Sequence, residues 1–151
     1  MAATTHTLDE LKSQSGADLG HTRWMDVSQE RVNTFADATD DHQWIHVDQE
    51  RARSGPFGGT VAHGYLTLSL LIPLFLELLE VKGAAMAVNY GLNKVRFPAP
   101  VPVGARIRLA GRIDAVDEVK GGVQAVLDFT VEVESGGKPA CVAQAVYRFY
   151  Q

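Results

Sequence analysis

Cysteine is almost missing from this chain. Cys141 stands alone among 151 residues, so no intramolecular disulfide can form and a reducing, cytoplasmic compartment is expected. Its place in an apolar, strand-like run makes it an inert buried thiol rather than a nucleophile. Blocks of Lys or Arg are missing as well. The 14 basic and 18 acidic side chains give a formal net charge of -4, which excludes the basic footprint of a nucleic-acid or anionic-membrane binder. No CxxC pair and no G-x-x-x-x-G-K-[ST] loop occurs, so zinc ribbons and phosphate loops are disfavoured, and Gly58-Gly59 reads as a turn. Long apolar runs are also lacking: the longest, Tyr65 to Leu79, holds Pro73 and Glu77 and falls short of the roughly 20 residues a bilayer span needs. The stretch from Met1 to Ser15 carries Asp9, Glu10 and Lys12 and has no apolar core of a signal peptide. Neither a membrane nor export is expected.

What is present fits one domain spanning residues 1–151, long enough to bury about two-thirds of its unfolded surface without metals or disulfides. Leu8 to Ser13 suggests a short helix, Gly16 to Gly20 a turn, and His21 to Val27 a partial strand. Ser28 caps a helix that presents Val32, Phe35 and Ala36 on one face and ends near Ala38-Thr39-Asp40. Asp48 caps a further turn through Arg53, stopped by Ser54-Gly55-Pro56. A long helix from Gly64 to about Glu80 is apolar nearly all round, so it is expected to be enclosed on most sides and to kink or split at Pro73. Beyond Lys82-Gly83 four alternating segments follow: Ala87 to Phe97, Ala105 to Val116, Val123 to Val133 and Ala140 to Tyr150. Turn signals separate them, so they read as antiparallel neighbours. At about ten residues they exceed the usual strand of about five or six, which predicts a curved sheet wrapped around the helix. The class is α+β.

Two proton-transfer groups, Asp41 and His46, share one short run, Asp41-His42-Gln43-Trp44-Ile45-His46. Imidazole changes charge close to neutral pH and suits the base that activates a water. The carboxylate of Asp41 can hold the same water. Ala62-His63-Gly64 opens the long helix, where the first backbone N–H groups lack acceptors and carry the positive end of the dipole. At Gly64 no side chain bars a carbonyl oxygen from the amide, so charge developing on that oxygen can be stabilised there. These three residues are the catalytic candidates. Trp44, Ile45, Phe57 and Tyr65 are the substrate-binding candidates, His42 is expected to face solvent, and His63 to be structural. A metal cluster of His46, Asp41, Asp48 and His63 is considered and set aside, so no metal is expected.

The D-x-x-x-x-H run, the Ala62-His63-Gly64 opening and the segment from Val95-Arg96-Phe97 through Pro98, Pro100 and Val101 to Gly104 together resemble the MaoC-like dehydratases, the (R)-specific enoyl-CoA hydratases. The wording Asp41-His42-Gln43-Trp44-Ile45-His46 is most similar to the branch of nodulation-protein-N-like and mycobacterial 3-hydroxyacyl-thioester dehydratases. Asp40 replaces the usual Gly, Gln43 the Asn and Trp44 the Pro. The resemblance implies a hotdog fold and syn addition of one water to a trans-2-enoyl thioester to give an (R)-3-hydroxyacyl product. It maps catalysis onto Asp41 and His46. It further implies an acyl-thioester substrate carried by coenzyme A or a carrier protein, no cofactor, and a homodimer with its pocket at the subunit seam. Lys94, Arg96, Arg51 and Arg53 are the cations on offer to a nucleotide end. A hotdog thioesterase and a non-catalytic acyl-thioester binding subunit are the alternatives.

Overall fold

The structure is a computed structural model describing residues 2–151. In chain order its elements are β1 (Thr4–Thr7), α1 (Leu8–Leu11), β2 (Asp18–His21), β3 (Met25–Asp26), α2 (Gln29–Thr39), α3 (Trp44–Val47), α4 (Gln49–Arg53), α5 (Gly64–Ser69) and α6 (Leu71–Phe75). Then come β4 (Leu79–Lys82), β5 (Met86–Arg96), β6 (Arg106–Val119), β7 (Gly122–Val133) and β8 (Cys141–Tyr150). The four expected long strands are therefore β5 to β8, each within a few residues of its reading. All their pairings are antiparallel. The order is β2-β6-β7-β8-β5, with β3 also on β6. Sequence neighbours β5 and β6 thus do not pair; the chain from Phe97 to Ala105 crosses over, and β5 is left as an edge.

Period-two burial makes the core. Along β7, Val123, Ala125, Leu127, Phe129, Val131 and Val133 point inward while the residues between them do not. Leu66, Leu70, Leu71, Leu74 and Phe75 of α5 and α6 fill the concave side, with Leu78 just beyond. Phe75, Phe129 and Tyr147 meet there with ring centroids 5.2 to 6.0 Å apart, and burial pushes the Tyr147 hydroxyl up to about 12. Emptying such a site, as in Leu74→Ala, costs about 2–5 kcal/mol. Curvature comes from register shifts in β5 at Asn89/Gly91 and Leu92/Lys94 and in β6 at Ile113/Ala115, since a bulge bends its strand. Gly111 lets Leu78 pack closely on β6, because a Cβ there would lie 3.0 Å from Leu78 Cδ1.

Three expectations need correction. The helix from Gly64 stops at Phe75 rather than near Glu80, and it is split at Leu70. Pro73 has no N–H for the Ser69 carbonyl and crowds it, so the break falls one turn before the proline. The segment Leu79–Lys82 instead forms β4 in parallel with β1, from Thr4↔Leu79 to Thr7↔Lys82. Nor is the helix enclosed: Tyr65, Ile72 and Leu76 are 72%, 40% and 65% exposed along one face. Gly16 to Gly20 is also more than a turn, because Asp18–His21 pairs with β6.

Among the described residues no helix is long and apolar enough to cross a membrane. Cys141 is fully buried, and loss of solvation pushes its thiol up to about 11. Native protein should therefore leave a disulfide reagent such as dithionitrobenzoate unreduced over minutes at pH 8, and release one equivalent of thionitrobenzoate only in guanidinium; fast reaction of the native chain would contradict this packing.

Candidate active site

Helix α2 delivers the chain to the site. Ser28 caps it, accepting from the Arg31 N–H, and its far end is closed by the Asp40 and Asp41 N–H groups, both donating to the Ala36 carbonyl. Asp40 has φ 58, the only positive value among the described non-glycine residues. The replacement of the family's glycine is thus an aspartate in the left-handed region, which Asp tolerates better than most residues. Asp41 follows with a side chain 50% exposed. His46 does not lie in a loop, as expected, but in the single turn α3, which also contains Trp44 and Ile45.

Two cross-links fix α3. The Gln29 amide donates 2.8 Å to the His46 carbonyl, and its oxygen accepts 2.6 Å from the Thr60 hydroxyl. On the other side the Val61 N–H donates to the Ile45 carbonyl at 3.0 Å. The strip Thr60 to Ala62 is in turn held by the proline-rich segment: the Ala62 N–H donates to the Val101 carbonyl and the Val103 N–H to the Thr60 carbonyl, at 2.8 and 2.9 Å. The segment from Val95 to Gly104 is therefore a buttress for Ala62-His63-Gly64.

The His46 ring is buried, and its Nδ1 lies 2.6 Å from the Val61 carbonyl oxygen. A carbonyl only accepts, so Nδ1 carries the proton and Nε2 keeps its lone pair. His63, 2% exposed, stacks on it with ring centroids 3.8 Å apart and planes at 24°. Its Nε2 lies 3.0 Å from the Asp41 carbonyl oxygen and 4.0 Å from Asp41 Oδ2. One donor atom each from Asp41, His46 and His63 all lie within 4.8 Å of one another. Two hydrogen bonds through one water span up to about 5.6 Å, so one water fits between the Asp41 carboxylate and a His46 nitrogen. The trio suits a metal poorly, because the His63 nitrogen near Asp41 donates its proton to a carbonyl. His42, one helical turn before His46, is exposed and pairs with Asp37 at 2.8 Å.

Gly64 opens α5 directly after His63, and its amide is among the N–H groups with no intrahelical acceptor. A cavity of about 270 Å³ lies against it, lined by Phe57, Ala62, Gly64, Thr67, Phe97 and Pro98 among others. A Cβ on Gly64 would lie 3.3 Å from the Phe97 ring. Asp41, His46 and His63 are thus brought together; Gly64 follows His63 in the chain and lines, with Phe57, a cavity whose wall includes none of those three. Trp44, Ile45 and Tyr65 are not on that wall. Trp44 instead carries the Arg51 guanidinium 4.2 Å above its ring and touches the open side of Gly55. Ile45 is half-buried, and Tyr65 projects from the open helix face. Gln29 and Thr60 were missed by the sequence reading; only proximity to Ala62-His63-Gly64 could have drawn attention to Thr60.

A strongly bent antiparallel sheet around a central helix, with an acid and an imidazole beside the helix start, is the hotdog architecture of the hydratases. The MaoC-like domain matches residues 10–135, and the chain belongs to that dehydratase family. It is 52% identical to 3-hydroxyacyl-thioester dehydratase Z of Mycobacterium tuberculosis, over 97% of each chain. It is 43% identical to nodulation protein N of Rhizobium leguminosarum bv. viciae, over 91% of this chain and 87% of that one. The solved (R)-hydratase from A. caviae involved in PHA biosynthesis superimposes with a TM-score of 0.73 at 25% identity, over 89% of this chain and 95% of that one.

The hydrogen bond to Val61 has a direct signature. Long-range ¹H–¹⁵N spectra at pH 8 should show His46 as the Nδ1–H tautomer; an Nε2–H pattern would be incompatible with this geometry.

Proposed function

We propose that the chain reversibly hydrates a trans-2-enoyl thioester to the (R)-3-hydroxyacyl thioester, with Asp41 and His46 sharing the reacting water. The convergence of Asp41, His46 and His63 within 4.8 Å, with Gly64 following His63 at the start of α5, is the observation that carries it. In the hydration direction the water proton passes to His46 Nε2 as its oxygen bonds to the β-carbon. The alkene electrons move toward the thioester oxygen, whose charge the Gly64 N–H stabilises. A proton returned to the α-carbon by the Asp41–His46 pair completes the addition. Conjugation to the thioester supplies the activation, so neither a metal nor an organic cofactor is required. The chemistry of the carrier, coenzyme A or an acyl-carrier protein, leaves these steps unchanged.

The purified chain should remove the ultraviolet absorbance of crotonyl-CoA and longer trans-2-enoyl-CoA without releasing thiol. Asp41→Asn and His46→Ala should each lower the rate by about 10²–10⁴-fold, the range for loss of a positioned acid or base. Buried Cys141 keeps the thiol background low, so release of free coenzyme A would be plain and would replace hydration with thioester hydrolysis. Tight binding of the enoyl thioester with no turnover would instead identify a binding subunit.

The same reading makes the chain a homodimer through β5. That strand is an 11-residue edge, and an edge of this length is a template for pairing. Met86, Tyr90, Leu92 and Phe97 are exposed along or just after it, beside the open helix face of Tyr65, Ile72 and Leu76. Together they offer the apolar surface that a second copy can cover about a twofold axis. Sedimentation equilibrium should give twice the chain mass, and Leu92→Asp should shift it toward monomer; a monomeric native chain at micromolar concentration would refute the dimer.

A further inference from the structure

We propose that His63 is a positioning residue for hydration: its Nε2–H holds the main-chain carbonyl of Asp41 and so sets where the Asp41 carboxylate stands over His46. This rests on the hydratase reading of the same site. His63 is the one residue that touches all three proposed catalytic parts. Its ring donates 3.0 Å to the Asp41 carbonyl, with the carboxylate 4.0 Å away. One face of the ring stacks on His46 at 3.8 Å, while the Phe35 ring packs at 4.9 Å and 54°. Its own carbonyl accepts from the Leu66 and Thr67 N–H groups, which fixes the start of α5 and the Gly64 amide beside it.

The tether matters because, beyond the bond from its own N–H to the Ala36 carbonyl, little else restrains Asp41. Its side chain is half exposed, its one side-chain hydrogen bond, from the Gln43 N–H, is 3.5 Å long, and it follows a residue in the left-handed region. A carboxylate placed this loosely is free to turn into solvent. A misplacement of about 1 Å can cost about 100-fold in rate. The tether also fixes the state of the ring. A carbonyl acceptor requires Nε2–H, which leaves Nδ1 as a buried atom with no partner. An orphaned buried acceptor is unfavourable, so the ring is not optimised for its own hydrogen bonding. A histidine kept only to fill space or cap α5 would satisfy Nδ1, in a cap by accepting from an N–H of the first turn, and His63 makes no side-chain cap bond.

The two amide side chains separate this role from packing. The Gln amide nitrogen reaches the place of Nε2, whereas the Asn amide nitrogen reaches that of Nδ1. His63→Gln should keep kcat within about 5-fold of wild type, while His63→Asn and His63→Phe lose about 100-fold in kcat with KM and melting temperature little changed. In an Asp41→Asn background His63→Asn should add little further loss, because both act through one group. Equal losses in the Gln and Asn variants, losses that track melting temperature, or full additivity with Asp41→Asn would overturn the assignment. Imidazole ¹⁵N spectra of the wild-type chain test the tether without turnover. An Nε2–H tautomer at His63 supports it, and Nδ1–H removes it. Failure of the wild type to hydrate any enoyl thioester would sink the hydratase reading and leave the tether to be decided by those spectra.

Discussion

The site depends on one hydrogen-bonded crossing, where Thr60 to Ala62 threads between α3 and the segment around Val101. From that strip Val61 donates to Ile45 and accepts from the His46 ring, while Thr60 and Ala62 bond to Val103 and Val101. Each bond has a modest net value of about 0.5–1.5 kcal/mol. Their leverage is geometric: they fix the backbone on both sides of His63 and decide which nitrogen of His46 is basic. The turn α3 and the start of α5 thereby share one frame. The sheet crossover that carries Phe97 to Gly104 past the helix provides the third side of it.

Parts of this were legible in the residues. Long β-rich segments separated by turn signals gave β5 to β8; β7 repeats one inward and one outward residue along its whole length, whereas β5, with two register shifts, stays largely exposed. Asp41, His46 and Gly64 were found through three motifs in order, although spacing alone could not place them together. What was missed depends on tertiary pairing. Leu79–Lys82 continues the apolar run of Leu74, Leu76 and Leu78 without a break signal, and only β1, 75 residues away, makes it a strand. The exposure of Tyr65, Ile72 and Leu76 was hidden because apolar residues all round a helix read equally well as buried in one chain or covered by another. Gln29 and Thr60 carry no motif at all, since an amide–hydroxyl bracket between distant segments leaves no periodic trace.

Departures from the family wording were absorbed locally. Asp40 adopts a left-handed backbone that a glycine would take without strain, at a cost of roughly 1–2 kcal/mol. Two N–H groups on the Ala36 carbonyl hold it there. Trp44, standing where proline is usual, retains the α3 turn by leaning on Gly55 and Arg51. A Cβ at Gly55 would come within 3.0 Å of that indole, so the tryptophan and the glycine form one packing unit. Arg51 is thereby committed to the indole and is less free to meet a nucleotide than its sequence position suggested.

Water exclusion links the chemistry to the quaternary state. The attraction between two charges 4 Å apart rises from about 1 kcal/mol in bulk water to about 4 kcal/mol at an effective dielectric near 20, and the Gly64 amide gains by the same factor when its surroundings dry. In the single chain its cavity opens past Phe97, which is 42% exposed. The residues that could close it, Phe97 and Tyr65, belong to the same apolar face as the β5 edge. In the proposed dimer, covering that face would remove apolar surface from water, satisfy the edge and dry the surroundings of the Gly64 amide. One surface would then meet a requirement of folding and a requirement of the proposed catalysis together.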